Sequence, residues 1–169
     1  MAKKDFRYNQ GWGKNYIFVL LICSATQFLS NSATQKMRKI EHIGIAVKDL
    51  EVSNKIFEKL FGAAPYKFED VASEGVKTSF FQSGPNKIEL LEATNAESPI
   101  AKFIEKKGEG IHHIAFDVSD IVAETRRLQE EGFLVLNEIP KKGADNKLVV
   151  FLHPKSTNGV LIELCQEIQ

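Results

Sequence analysis

The chain of 169 residues is long enough for one ordinary domain, and its 43% hydrophobic content supports a sizeable core. Lys and Arg together number 22, as do Asp and Glu, so the formal net charge is zero and no global attraction draws the chain to nucleic acid or to an anionic membrane. The two cysteines, Cys23 and Cys165, form no CxxC and imply neither a disulfide framework nor a zinc knuckle, which fits a reducing, cytoplasmic setting.

Residues 1–36 read as a leader-like extension. Lys3, Lys4, Arg7 and Lys14 precede the apolar run YIFVLLIC (Tyr16 to Cys23), and small and polar residues follow as far as Gln35, an imitation of a secretory signal. The apolar run is too short to span a bilayer. Cys23 follows LLI and lacks the small residue that a lipoprotein signal places before its cysteine. The preferred expectation is a natural start at Met37 with upstream sequence translated in frame, because residues 37–169 make a complete unit by themselves.

From there the chain alternates strand and helix signals. The run EHIGIAVKD (Glu41 to Asp49) predicts a strand with Ile43, Ile45 and Val47 on one face and His42, Gly44 and Ala46 on the other. Asp49 is placed to cap a helix over Leu50 to Leu60, with Val52, Ile56, Phe57 and Leu60 near helical spacing and Gly62 just past the end. Strand-like runs TSFFQS and KIELLEA follow, separated by the turn residues GPN. Ser98 to Gly110 reads as a short helix and a glycine-bearing linker.

The pattern then repeats. IHHIAFDVSD (Ile111 to Asp120) reproduces the first strand at an offset of 71, aligning His113 with His42 and Asp120 with Asp49. A helix over Ile121 to Glu131, with Val122, Thr125 and Leu128 at its spacing, precedes LVVFLHP and VLIELCQ, separated by STNG. Each half ends on an Ile-Glu-Leu triplet carrying Glu89 or Glu163, 47 residues after His42 and 50 after His113. The expected fold is therefore α+β, two tandem βαβββ modules over about 39–95 and 111–168, forming a curved sheet around a metal-binding cleft.

Duplicated halves packed about a pseudo-twofold axis bring His42, Glu89, His113 and Glu163 together. Two imidazoles and two carboxylates suit a divalent cation such as Mn, Fe, Co, Ni or Zn and match soft copper sites poorly. Strand parity favours His113 over His112, which falls with the helix-packing residues, and the small residues after each histidine leave room for a ligand. Taken singly, a strand histidine or glutamate is usually an edge or surface residue. It is the repeated pairing that points to a metal.

The order of elements and the blocks IEHIGIAVKDLE, GIHHIAFDV and FLHPKSTNGVLIEL resemble the vicinal oxygen chelate superfamily, and within it the methylmalonyl-CoA epimerase family, over about residues 37–166. The resemblance implies His42, Glu89, His113 and Glu163 as ligands of a divalent metal (Co, Mn, Ni or Zn), methylmalonyl-CoA as substrate and a homodimer. It also implies proton transfer by metal-ligating glutamates, Glu163 first and Glu89 second. Some family members carry a further glutamate base where this chain has Thr78, which is no base near neutral pH. Lys141, Lys142, Lys147 and Lys155 are candidates for coenzyme A phosphates, though lysines there also suit a solvated face, and His153 is expected at a strand end or pocket rim. Glyoxalase I and a metal-free small-molecule-binding member of the superfamily are the alternatives.

Overall fold

The computed structural model describes residues 37–169; the leader-like segment and Cys23 lie outside them. The first half runs β1 (Met37–Val47), α1 (Leu50–Phe61), β2 (Lys67–Val71), β3 (Val76–Ser83) and β4 (Asn86–Ala93). A connecting helix, α2 (Pro99–Lys107), leads to β5 (Gly110–Val118), α3 (Ile121–Glu130), β6 (Lys141–Lys142), β7 (Lys147–Leu152) and β8 (Leu161–Glu167). All eight strands form one mixed sheet in the order β2-β3-β4-β1-β5-β8-β7-β6. Within each half the first and last strands pair in parallel, β1 with β4 and β5 with β8, while β1 and β5 join the halves antiparallel. The α+β architecture of two βαβββ modules is thus present.

Capping follows the sequence. Asp49 accepts a hydrogen bond from Val52 N at 2.9 Å and Asp120 from Ala123 N at 2.9 Å, satisfying N–H groups that a first helical turn leaves open. Gly62 ends α1 in the left-handed region at φ 70°, with its N–H donating to Glu58 O.

Helices α1 and α3 pack on the convex face of the sheet, whereas α2 packs on the cleft side, where its Ile100 joins Ala46, Val76 and Leu91. Under α1, Val47, Leu50, Phe81 and Leu90 form a core joined by Phe57 and Phe61, whose rings lie 5.7–6.1 Å from one another and from Phe81. Under α3, Val118, Ile121, Leu128, Val150, Leu152 and Leu164 form the equivalent core. Each such side chain contributes on the order of 1.5–3 kcal/mol of burial free energy.

The inward stripe of α1 differs from the expected one. Val52, Ile56 and Leu60 are 54%, 58% and 70% exposed, and of the expected set only Phe57 packs inward. The helix turns Leu50, Ser53, Asn54, Phe57 and Phe61 to the sheet instead, where the two phenyl rings join the core and buried Asn54 Oδ1 accepts from Ser79 Oγ at 2.6 Å. In α3 the expected Thr125 and Leu128 are buried, joined by Ile121, and only Val122 of the expected set is exposed.

Candidate metal centre

The concave face of the curled sheet holds a cleft of about 280 Å³, with Val76, Leu91 and Ile100 among its apolar walls and Phe80, Val149 and Phe151 in the remaining lining. At its floor the four sequence-predicted side chains meet, all buried. His42 Nε2 lies 2.9 Å from His113 Nε2. Glu89 Oε2 is 3.2 Å and 3.6 Å from the two Nε2 atoms, and Glu163 Oε2 is 3.3 Å from His113 Nε2 and 3.9 Å from His42 Nε2. Among the described residues, His42, His113 and Glu163 form a ligand-type cluster with donor atoms all within 4.8 Å of one another.

These spacings match one small coordination sphere. Donors about 2.1 Å from a common ion lie roughly 3 Å apart when adjacent and 4 Å apart when opposite. Charge points the same way. Burial pushes the Glu163 carboxyl up to about 7, with His42 opposing and the charges of Glu89 and Glu41 adding to the rise. Burial disfavours a charged His42, yet hydrogen bonds to Glu41 and Glu89 and the fields of Glu89 and Glu163 prevail and lift it to about 10. Burial, with His42 and His112 adding, holds His113 neutral, well below the usual imidazole range. Without a cation the site keeps a proton on His42. A divalent ion would replace that proton and satisfy both carboxylates, so the donor set fits one.

Register explains how a sheet can assemble this group. Gly44 stands opposite His113 and Ala115 opposite His42 across the β1–β5 pair. A Cβ built on Gly44 would fall 2.2 Å from His113 Cε1, so this position admits only glycine while the ring stays in place. The small residues after each histidine therefore make room for the other half's imidazole, whereas the sequence suggested room for a ligand.

A second correction concerns the residues just before the histidines. His112, expected on the helix-packing face, instead lines the cleft, with Nδ1 3.0 Å from His113 Nδ1 and its ring edge-on to Phe103. Glu41, absent from the sequence-derived site, is also buried there, 2.6 Å from His42 Nδ1, and pairs with Lys87. Burial opposes ionisation of Glu41, but its bonds to His42 and Lys87 outweigh this and bring it to about 2. The register shifts between Ile40 and His42 and between His113 and Ile111 leave Glu41 and His112 as extra residues in their strands. Such bulges turn a side chain off its alternating face, which parity alone cannot anticipate. A signal existed: Glu41 and His112 are separated by the same offset of 71 that separates His42 and His113.

Thr78 is buried and donates to Glu89 Oε1 at 2.9 Å, so it orients a carboxylate. Of the four lysines considered for phosphates, Lys141 pairs with Glu74 at 2.5 Å and lies 5.5 Å from the Phe151 ring centroid, Lys147 pairs with Glu167, and Lys142 and Lys155 are exposed. His153 caps a short turn over Pro154–Ser156, its Nδ1 accepting from Lys155 N at 3.0 Å. The turn between β6 and β7 bridges to the first half: Asp145 bonds Lys67 at 2.9 Å and Lys87 at 2.5 Å, and its N–H donates to Glu69 Oε2 at 2.8 Å. No helix among the described residues is long and apolar enough to cross a membrane.

Comparison with known proteins places this geometry in context. A family model described as the glyoxalase/bleomycin resistance protein/dioxygenase superfamily matches residues 41–151. The ethylmalonyl-CoA/methylmalonyl-CoA epimerase of Cereibacter sphaeroides is 44% identical over 130 residues, which cover 76% of this chain and 97% of that protein. Human mitochondrial methylmalonyl-CoA epimerase is 39% identical over 129 residues, covering 76% of this chain and 73% of its own. A solved structure of methylmalonyl-CoA epimerase in complex with methylmalonyl-CoA and NH4+ superposes with a TM-score of 0.73 at 32% identity, covering 78% of this chain and 95% of that one.

Proposed function

The chain belongs to the glyoxalase/bleomycin resistance protein/dioxygenase superfamily, and within it we propose an isomerase that interconverts (2R)- and (2S)-methylmalonyl-CoA, with residues 37–169 as its catalytic unit. One observation carries the reading. Two carboxylates reach one pair of imidazoles from opposite flanks, since Glu89 comes from β4 and Glu163 from β8 on either side of the central β1–β5 pair. Epimerisation removes a proton from one face of C2 and returns one to the other, so it needs two such groups.

His42, Glu89, His113 and Glu163 would hold a divalent cation of the Co, Mn, Ni or Zn kind. That cation would supply Lewis-acid stabilisation of the negative charge that develops beside C2 as its proton leaves. The chain's own residues do the rest. Glu163 is our choice for taking the proton: Glu89 is tied by the Thr78 hydroxyl, whereas the position equivalent to Thr78 beside Glu163 is Val149, so Glu163 has more freedom to move. Glu89 is then the group that serves the opposite face of C2. Glu89, protonated at the start of this direction, gives its proton to that face, and both carboxyls exchange with water between turnovers, so C2 acquires solvent hydrogen. The epimerase relatives favour this reaction over that of glyoxalase I, and the donor fit favours it over a metal-free binding role. The resemblance and the cysteine pattern further support a homodimer in the cytoplasm.

The test is proton NMR in deuterated water on metal-loaded protein supplied with one epimer of methylmalonyl-CoA, alongside a coupled mutase assay for the other. Expected is metal-dependent loss of the C2 proton signal with epimer formation, abolished in His113→Ala. Absence of exchange under every divalent metal tried would sink the proposal.

A further inference from the structure

Resting on that metal reading, we infer that the bulged residue before each ligand histidine, Glu41 in the first half and His112 in the second, is a positioning residue that accepts a hydrogen bond from the histidine's Nδ1–H and so aims Nε2 at the cation. The two occupy equivalent places: each is the extra residue of a register shift in the β1–β5 pair, and each directly precedes a ligand. Each also touches that histidine's Nδ1, at 2.6 Å for Glu41 and 3.0 Å for His112. One assignment of tautomers turns both Nε2 lone pairs toward a cation. If Nε2 of His113 is to accept, its own proton sits on Nδ1, and His112 Nδ1 must be the acceptor. His42 likewise donates Nδ1–H to Glu41 Oε2. Both Nε2 lone pairs are thereby freed toward one point when a cation takes the place of the proton between them.

The two supports are unequal. A carboxylate accepts more strongly than a neutral imidazole and makes the histidine it holds a better donor to a metal. Glu41 is in turn fixed by one lysine from each half, Lys87 from β4 in direct contact and Lys147 from β7 at 3.8 Å. Phe103 braces His112 through an edge-on ring contact with centroids 5.0 Å apart. His42 is therefore the tightly aimed ligand and His113 the more loosely aimed one.

The test is cobalt(II) titration of the purified full-length protein, read by calorimetry and by the visible d–d absorption of the bound ion. Glu41→Gln leaves Lys87 short of a partner and risks misfolding, so it is paired with Lys87→Met, and the thermal midpoint of each metal-free variant is recorded. E41Q/K87M is expected to fold, to bind cobalt about 10–100-fold more weakly and to shift the absorption band. His112→Phe, which keeps the ring contact and removes the acceptor, is expected to weaken binding by only about fivefold. Unchanged affinity and band position in both folded variants would overturn the inference while leaving the metal centre in place. Failure of the parent protein to bind cobalt at all would bring down the metal reading and this inference with it.

Discussion

The two halves share a backbone plan and differ in what grips the side chains they bring to the cleft. In the first, His42 is held by a carboxylate and Glu89 by a hydroxyl; in the second, His113 meets an imidazole and Glu163 has Val149 where Thr78 would stand. Gly44 in the first half corresponds to Ala115 in the second, because the His113 ring lies over Gly44 while His42 leaves room for a methyl group. A duplicated fold thus yields a site with one stiff side and one yielding side. That division would suit the proposed reaction, in which a bound cation would stay still while a carboxylate moves. The sharpest way to break the comparison is Gly44→Ala. The new methyl group must push the His113 ring aside, and a displacement of about 1 Å costs on the order of 10²-fold in rate. Ala115→Gly creates no clash and is expected to keep activity within a fewfold, as steady-state epimerase assays of both variants would read.

Most of the fold was legible in the sequence because period-two alternation, the Asp caps and a fixed repeat offset all agreed, and such agreement across levels is what specifies a structure. The meeting of His42, Glu89, His113 and Glu163 in one cleft was legible for the same reason, since each recurs in a matching context. Glu41 and His112 were missed because parity assumes an unbroken ladder, and a bulge at each position rotates the side chain onto the opposite face. The α1 stripe was misassigned for a different reason. Val52, Ile56 and Leu60 make as regular an apolar pattern as Leu50, Phe57 and Phe61, and what decides between them is tertiary: the contacts of the two phenyl rings with Phe81 and the buried bond between Asn54 and Ser79.

The halves should also differ in their protons. With His42 lifted to about 10 and His113 held neutral, cation binding near neutral pH must expel a proton from the first half's histidine and none from the second's. Below about 7 a second proton must leave Glu163 as well. Cation affinity therefore rises with pH, by about tenfold per unit above neutrality and more steeply below it. Cobalt titrations at pH 6, 7 and 8, with calorimetry in two buffers of different ionisation enthalpy, read the slope and the proton count together. An affinity independent of pH across that range would show that neither proton is there to be displaced.

Away from the cleft the halves solve one packing problem in two ways. Asn54 meets Ser79 across the α1–sheet interface, and the equivalent pair in the second half is Thr125, whose hydroxyl returns to Ile121 O at 2.6 Å, and Val150. Ser79→Ala strands a buried amide oxygen, so a loss of about 1–3 kcal/mol is expected in urea unfolding at unchanged m-value. Transplanting the second half's arrangement as N54T/S79V removes both partners at once, lets the new hydroxyl bond its own helix, and should recover most of that loss. Recovery would mean that the first half keeps its polar pair to select the Leu50–Asn54 stripe over the Val52–Leu60 one, since a stripe can be specified by a bond that adds little net stability. If the double variant remains as unstable as Ser79→Ala, the bond itself is what holds α1 down, and the two halves are more alike in energy than in chemistry.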